Sequence, residues 1–191
     1  MRKLIYLIAT SVDGFIARTD GSFEDFPNHP DTLATFFGEY PEACPAHARD
    51  ALGITGEPKH FDTVIMGART HEPAIEAGLT SAYPHLDHYV VTHRTDWPAD
   101  AAVTFVRDDP QALVRDLKQR PGKDIWLAGG GNLAGQLVEE IDEYHLKVNP
   151  VLLGEGIPLL AGNGVGVRLR PVASRPFGAG VTLATYVPAG R

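Results

Sequence analysis

Residues 124–133 read DIWLAGGGNL and place three consecutive glycines directly after an apolar run. The run predicts a buried strand, and the apolar positions that follow the glycines recur at helical spacing, which predicts a helix over residues 132–141. Glycines at Gly129, Gly130 and Gly131 allow backbone N–H groups to approach a phosphate, and the following helix start adds partial positive charge. We therefore expect a strand, a phosphate-binding turn and a helix; a plain tight turn is the alternative.

Similar units recur along the chain in an order typical of α/β proteins. The sequence predicts strands over residues 3–9, 63–66, 88–91, 103–106 and 124–128, and helices over 70–77 and 109–119. Residues 31–53 favour two helical pieces broken near Pro41 and Pro45. The last third predicts strands without intervening helices, among them 181–187. We expect one domain over residues 1–191, with a largely parallel central sheet flanked by helices and an antiparallel C-terminal hairpin.

Two other strand ends carry residues suited to an anionic ligand. Gly67 is followed by Arg69, whose guanidinium can bind a phosphate through two hydrogen bonds, and by the hydroxyl of Thr70. An N-cap role for Thr70 and a solvated Arg69 are the alternative. Thr92, His93 and Arg94 follow the next strand. Ligands of open α/β sheets gather at the carboxyl ends of the strands, so the three junctions together indicate an extended anionic ligand.

Composition excludes several other classes of function. The 191 residues carry a net charge of −7 without a basic cluster, which disfavours nucleic-acid binding, and no apolar run is long enough to cross a membrane. The apolar run after Met1 is too short for a signal peptide, and Cys44 is the single cysteine, so we expect a cytoplasmic protein. His85 and His88 are the one close histidine pair, with no third ligand nearby, so we expect no metal site.

The order of motifs resembles the dihydrofolate-reductase-like family, which includes the reductase domain of the bifunctional riboflavin-biosynthesis deaminase-reductase. The matching segments are residues 11–17 (SVDGFIA), 64–67 (VIMG) with Thr70, 92–94 (THR), 129–131 (GGG) and 150–159 (PVLLGEGIPL). The resemblance implies a homodimer that binds NADPH across the strand ends. It places Ala9 and Ile16 near the nicotinamide of the cofactor. It places Gly67, Arg69 and Thr70 at a phosphate-bearing part of the same cofactor. It places Thr92, His93 and Arg94 on the adenosine side and the pyrophosphate at Gly129, Gly130, Gly131, Asn132 and Leu133.

Two departures from the family pattern matter: the first concerns the strength of 2′-phosphate recognition, and the second leaves the substrate open. Ala68 stands where the family commonly has an arginine, and no carboxylate aligns clearly with the one that holds the pteridine in the folate enzyme. Asp25 and Asp31 are weak candidates for the catalytic acid, and Asp31 and Glu155 for substrate contact. The first hypothesis is an NADPH-dependent reductase of a pyrimidine- or pteridine-like heterocycle. The alternatives are a non-catalytic cofactor- or metabolite-binding protein and a reductase of unrelated carbonyl or flavin substrates.

Overall fold

A computed structural model describes residues 1–162 and 166–190. Its strands are β1 Leu4–Ser11, β2 Phe15–Ala17, β3 Phe61–Gly67, β4 Asp87–Val91, β5 Val103–Val106, β6 Asp124–Gly129, β7 Glu143–Asn149, β8 Ile157–Pro158, β9 Leu169–Pro176 and β10 Thr182–Pro188. Its helices are α1 Pro30–Glu39, α2 Ala46–Arg49, α3 Ala68–Glu76, α4 Pro110–Gln119 and α5 Gly131–Gln136, with a 3-10 turn at Pro41–Ala43. The glycine-rich segment 161–166, predicted as a loop, includes residues 163–165, which lie outside the described residues.

Eight strands form the main sheet in the order β5-β4-β3-β6-β1-β7-β10-β9. The first six are mutually parallel, whereas β10 is antiparallel to both β7 and β9. The expected parallel sheet with an antiparallel C-terminal hairpin is therefore confirmed. Strands β2 and β8 form a separate two-stranded sheet, which the sequence analysis did not predict.

The two faces of the main sheet are buried by different elements. On the first face, Leu7, Met66 and Val90 lie in a core with α1 and the 3-10 turn, through Phe36 and Ala43. On the second face, a separate core includes side chains of α4 and α5, namely Val114, Leu117, Leu133 and Ala134. Alternate residues of each strand thus enter different cores, which explains why the parallel strands read as continuous apolar runs.

Helix α4 follows its predicted start, because the Asp109 side chain accepts a hydrogen bond from the Ala112 N–H at 2.9 Å. Helix α5 is shorter than predicted and ends at Gln136. Leu137, Val138 and Ile141 remain buried in the turns beyond it, so their spacing reflects packing against the sheet rather than a continuing helix. None of the described helices is long and apolar enough to cross a membrane.

Candidate active site

The carboxyl ends of six parallel strands share one edge of the sheet, and this edge gathers most of the predicted ligand-binding residues. A Cβ added at Gly130 would lie 3.7 Å from Cδ1 of Ile16 and 3.8 Å from Oγ1 of Thr70. One added at Gly129 would lie 3.4 Å from Cδ1 of Ile8 and 3.9 Å from the same hydroxyl. We call Ile8, Ile16, Thr70, Gly129 and Gly130 the glycine site.

The three glycines of this segment have different structural roles. Gly129 has a φ of +117° and is joined to Gly130 by a cis peptide bond. At Gly131, an added Cβ would lie only 2.0 Å from the carbonyl oxygen of Pro158, because the segment after β8 crosses directly over α5. Gly130, with a φ of −89°, has no comparable close contact. The positive φ of Gly129 and the close contact at Gly131 thus explain why these two positions are occupied by glycine, and neither explanation requires a bound ligand.

The remaining residues predicted at the pyrophosphate lie within α5. Leu133 is 4% exposed and packs in the second-face core, so it can offer a ligand only its backbone. Asn132 is exposed, and its Oδ1 accepts a hydrogen bond from Nε2 of Gln136 at 2.7 Å. Because α5 begins at Gly131, the amide N–H groups of its first turn have no acceptor within the helix.

At the end of β3, Gly67 is the N-cap of α3 and Thr70 lies inside the helix, so the N-cap interpretation of Thr70 is wrong. The Thr70 hydroxyl instead faces the glycine site. Arg69 is exposed, and its guanidinium makes no hydrogen bond or ion pair with any residue in the described ranges. It is therefore free to bind an anion at the edge of the sheet.

Arg94, at the end of β4, lies in a different electrostatic environment. Its guanidinium pairs with Glu72 at 2.7 Å and with Asp96 at 2.9 Å, and it lies 4.8 Å from the ring centroid of Trp97. The hydrogen bonds that Arg94 donates to Asp96 and, secondarily, to Glu72 raise the pKa of Arg94. Two carboxylates thus already balance this cation, which makes it a weaker phosphate ligand than Arg69.

The rest of the β4 junction is built by local hydrogen bonds. The buried Thr92 accepts a hydrogen bond from the Arg94 N–H at 3.0 Å, and its own N–H donates to the carbonyl of Val106. His93 is exposed. Arg107, which directly follows β5 and was not among the predicted site residues, donates to the carbonyl of Arg94 at 3.4 Å. Its position after a predicted strand was the signal that could have identified it.

The structure places the acidic candidates at the surface. Asp25 accepts two hydrogen bonds from Arg18, at 2.6 and 2.8 Å, and these lower its pKa, so its carboxylate is ionised at neutral pH. The Asp31 side chain is 83% exposed and lies 3.6 Å from Nδ1 of His29. Glu155 is also exposed. Neither Asp25 nor Asp31 therefore lies in a desolvated position.

The loops around the glycine site are fixed by Asp13. Its carboxylate accepts hydrogen bonds from the Ser11 hydroxyl at 2.6 Å and from the N–H groups of Leu153 and Gly154 at 3.1 and 2.7 Å. These bonds, the one to Ser11 foremost, lower the pKa of Asp13. Asp13 thereby links the connection after β1 to the connection before β8.

Two histidines, His71 on α3 and His88 on β4, are buried together. The rings of His71 and His88 have centroids 5.3 Å apart, and Oγ of Ser81 lies 2.9 Å from Nδ1 of His88. The ring nitrogens of His71 and Nε2 of His88 are buried and have no hydrogen-bond partner among the residues that the structure describes. Within the described ranges, no three histidine, cysteine or acidic side chains are grouped as a metal ion would require.

Comparison with known proteins gives consistent results along the chain. The model of the RibD C-terminal domain family matches residues 2–183. The uncharacterized protein YwjB of Bacillus subtilis is 36% identical over 186 residues, which cover 95% of this chain and 96% of that protein.

Two solved structures share the fold at lower sequence identity. Dihydrofolate reductase from Enterococcus faecalis, in complex with NADP(H), has a TM-score of 0.65 and 16% identity, over 97% of this chain and 96% of that chain. The diaminohydroxyphosphoribosylaminopyrimidine deaminase/5-amino-6-(5-phosphoribosylamino)uracil reductase of Thermotoga maritima has a TM-score of 0.64 and 14% identity. That alignment covers 98% of this chain but 57% of the Thermotoga chain, so the similarity concerns one part of that protein.

Proposed function

This chain belongs to the RibD C-terminal domain family, and from that premise we propose that it is an NADPH-dependent reductase of a pyrimidine- or pteridine-like heterocycle. The observation that carries the proposal is the glycine site, where the end of β6, the start of α3 and strand β2 meet; the neighbouring Arg69 has no hydrogen-bond or ion-pair partner among the described residues. The dihydrofolate reductase structure named above, which has the same fold, is a complex with NADP(H).

The residues at this edge fit the chemical groups of a dinucleotide. Backbone N–H groups at Gly130 and the first turn of α5 suit a pyrophosphate. A Cβ added at Gly130 would meet no close contact within the protein, so packing alone does not require glycine at this position. The Thr70 hydroxyl can donate to the same group. Arg69 supplies the positive charge for a further phosphate. Ile16 and Ala9 provide apolar surface for a nicotinamide, and Thr92 and His93 border the adenosine side.

NADPH supplies the hydride when bound, and the chain's residues bind it, orient the reactants and exclude water. We assign recognition of the 2′-phosphate to Arg69 rather than Arg94. The reason is charge: Arg69 has no carboxylate partner among the described residues, whereas Glu72 and Asp96 neutralise Arg94 and would repel a phosphate brought close to it.

Binding measurements on matched arginine variants test this assignment. Loss of a charge-assisted hydrogen bond costs roughly 1.5–3 kcal/mol, so Arg69→Ala should weaken NADPH binding about ten- to a hundredfold and leave NADH binding nearly unchanged. Arg94→Ala is the control, and we expect less than about a threefold change in its NADPH affinity. Calorimetric dissociation constants for both cofactors provide the comparison. Equal affinity of the wild-type protein for NADH and NADPH would refute the proposal.

A binding protein without catalysis is the second candidate, and the acidic residues favour it. Asp25 is ionised by its pairing with Arg18, and Asp31 is solvated, so neither provides a buried proton donor. Incubation of the protein with NADPH and a panel of aminouracil and folate compounds separates the candidates. Oxidation of NADPH that depends on both the compound and the protein supports the reductase; tight NADPH binding without oxidation supports the binding protein.

A further inference from the structure

Residues 157–161 (IPLLA), which we call the strap, connect two parts of the glycine site. The strap begins as β8, which pairs with β2, the strand that carries Ile16. Among the described residues β2 has no other strand partner. The strap ends on α5, where the Ala161 N–H donates to the carbonyl of Gly131 at 2.9 Å. It therefore joins the strand that supplies Ile16 to the helix that follows Gly130.

The strap fits against α5 because two positions of that helix are glycine. A Cβ added at Gly131 would overlap the carbonyl oxygen of Pro158, and one added at Gly135 would overlap that of Ala161. Residues four positions apart lie on one face of a helix, so the two glycines form a groove that holds the backbone of the strap. Gly135 lies outside the glycine site. A side chain at Gly135 would therefore affect that site only by displacing the strap.

Leu159, in the middle of the strap, is held on both sides through its backbone. Its N–H donates at 2.9 Å to the carbonyl of Gly14, in the loop between β1 and β2. Its carbonyl oxygen accepts a hydrogen bond from the Tyr6 hydroxyl at 3.0 Å. Tyr6 is fully buried on β1, and burial raises its pKa, so the hydroxyl stays protonated and donates. This single hydroxyl anchors the strap to the central strand of the sheet.

We propose that the strap is a positioning element of the dinucleotide site, which binds its ligand only while the strap is closed on α5, and that Tyr6 is the positioning residue that holds it closed. An open strap loses the pairing with β2 and the hydrogen bond to Gly131 together, so Ile16 and the start of α5 are no longer held to each other. A ligand that binds only the closed state shifts the population towards that state. The inference rests on the cofactor site of the proposed function and adds how that site is assembled.

Hydrogen exchange of the strap amides, followed by NMR, measures this coupling directly. The N–H groups of Leu159 and Ala161 exchange when their hydrogen bonds open, and a local opening costs less free energy than global unfolding. NADPH at 100 times its dissociation constant should slow both amides by about a hundredfold, because it binds the closed state alone. The Ile54 N–H, which is hydrogen-bonded in the turn after α2, is the control, and its exchange rate should not change.

Tyr6→Phe removes the anchor and keeps the aromatic ring. In the protein without cofactor, this variant should exchange the Leu159 and Ala161 amides about fivefold faster than the wild type, which is the factor that corresponds to one net hydrogen bond. NADPH should slow the exchange again. Tyr89→Phe, which removes a hydroxyl that accepts from Arg120 at 3.3 Å, is the matched control and should leave the strap amides unchanged.

Gly135→Ala displaces the strap from a position outside the glycine site. It should weaken NADPH and NADH binding by the same factor, about tenfold or more, because the fraction of protein with a closed strap falls. Arg69→Ala, in contrast, should separate the two cofactors. Gly38→Ala is the control: Gly38 also lies in a helix, but an added Cβ there meets open space, so both affinities should equal those of the wild type.

Two results would overturn the proposal: strap amides that exchange at the same rate with and without saturating NADPH, or wild-type cofactor affinity in folded Gly135→Ala. If Gly135→Ala does not fold, the exchange rates of the wild type and Tyr6→Phe decide the question. NADPH that binds without protecting the strap refutes the strap alone and leaves the cofactor site standing. A wild-type protein that binds no NADPH refutes the cofactor site and the strap together.

Discussion

Acid should destabilise this protein through the buried pair of His71 and His88. Desolvation, followed by the neighbouring His71, lowers the pKa of His88 from 6.5 to about 4, and burial also lowers the pKa of His71. A histidine with a depressed pKa is neutral in the folded protein and protonates more easily in the unfolded chain. Its contribution to stability is therefore complete above pH 6.5 and is lost as the pH falls from 6.5 towards 4.

The magnitude follows from the two pKa values of His88. Each pH unit between them corresponds to about 1.4 kcal/mol, so protonation of the unfolded chain removes roughly 3 kcal/mol by pH 4. That is a large share of the 5–15 kcal/mol typical of a folded domain. Protonation of His71 in the unfolded chain lowers the free energy of unfolding further, because the pKa of His71 is also lowered in the folded protein.

Urea unfolding of the wild type and His88→Gln at several pH values between 7.5 and 4.5 measures this effect. Glutamine retains a polar group for Ser81 but does not titrate, so the difference in unfolding free energy between the two proteins should shrink as the pH falls. Carboxylates titrate at the lowest pH values in both proteins, so their effect cancels in the difference between the two unfolding free energies. His47→Gln, at an exposed histidine, is the matched control. Parallel pH profiles for wild type and His88→Gln would refute the reasoning.

Four further substitutions test the glycine segment, the connection before β8 and the 3-10 turn that holds the start of β3. Gly131→Ala should cost more than about 2 kcal/mol in urea unfolding, since its Cβ would meet the Pro158 carbonyl oxygen, whereas Gly130→Val should fold and lose NADPH affinity in calorimetry. Asp13→Ala should lower the melting temperature and speed proteolysis of the connection before β8, while changing NADPH affinity less. Glu42→Ala should cost about 3 kcal/mol or more, because this buried carboxylate accepts three backbone N–H groups. Unchanged unfolding midpoints for Gly131→Ala or Glu42→Ala, or an NADPH affinity of Gly130→Val equal to wild type, would contradict these expectations.

Sequence patterns predicted those helices and strands in which the local sequence preference agrees with the packing in the folded protein. The strand Val103–Val106 and the capped helix Pro110–Gln119 lie where the sequence pattern predicted a strand over 103–106 and a helix over 109–119. Strands β2 and β8 have three and two residues, too few to show a periodicity. Their pairing arises from contacts between distant loops, which the sequence of either segment does not encode.

The site was predictable to the extent that parallel strands bring their carboxyl ends to one edge. The glycine segment and Thr70 meet there, as their positions after strands implied. The neutralisation of Arg94 by Glu72 could not be foreseen, because the two are 22 positions apart and meet only through the fold. Lys147 and Asn149 alternate with apolar residues and so resemble a solvated strand face, but α1 covers that face. The homodimer and the cytoplasmic location stay predictions.

The place of β1 at the centre of the sheet has a consequence for biosynthesis. Its two neighbours are β6 and β7, and Leu4 pairs with Ile125 while Ile5 pairs with Glu143. β1 is made before the strands it pairs with, so neither of its hydrogen-bonding edges is satisfied until more than 120 further residues have been made. Throughout that interval the apolar segment LIYLIA is available to other chains and to chaperones. The synthesis of β6 and β7, rather than that of β1, is when the nascent chain can close the centre of its sheet.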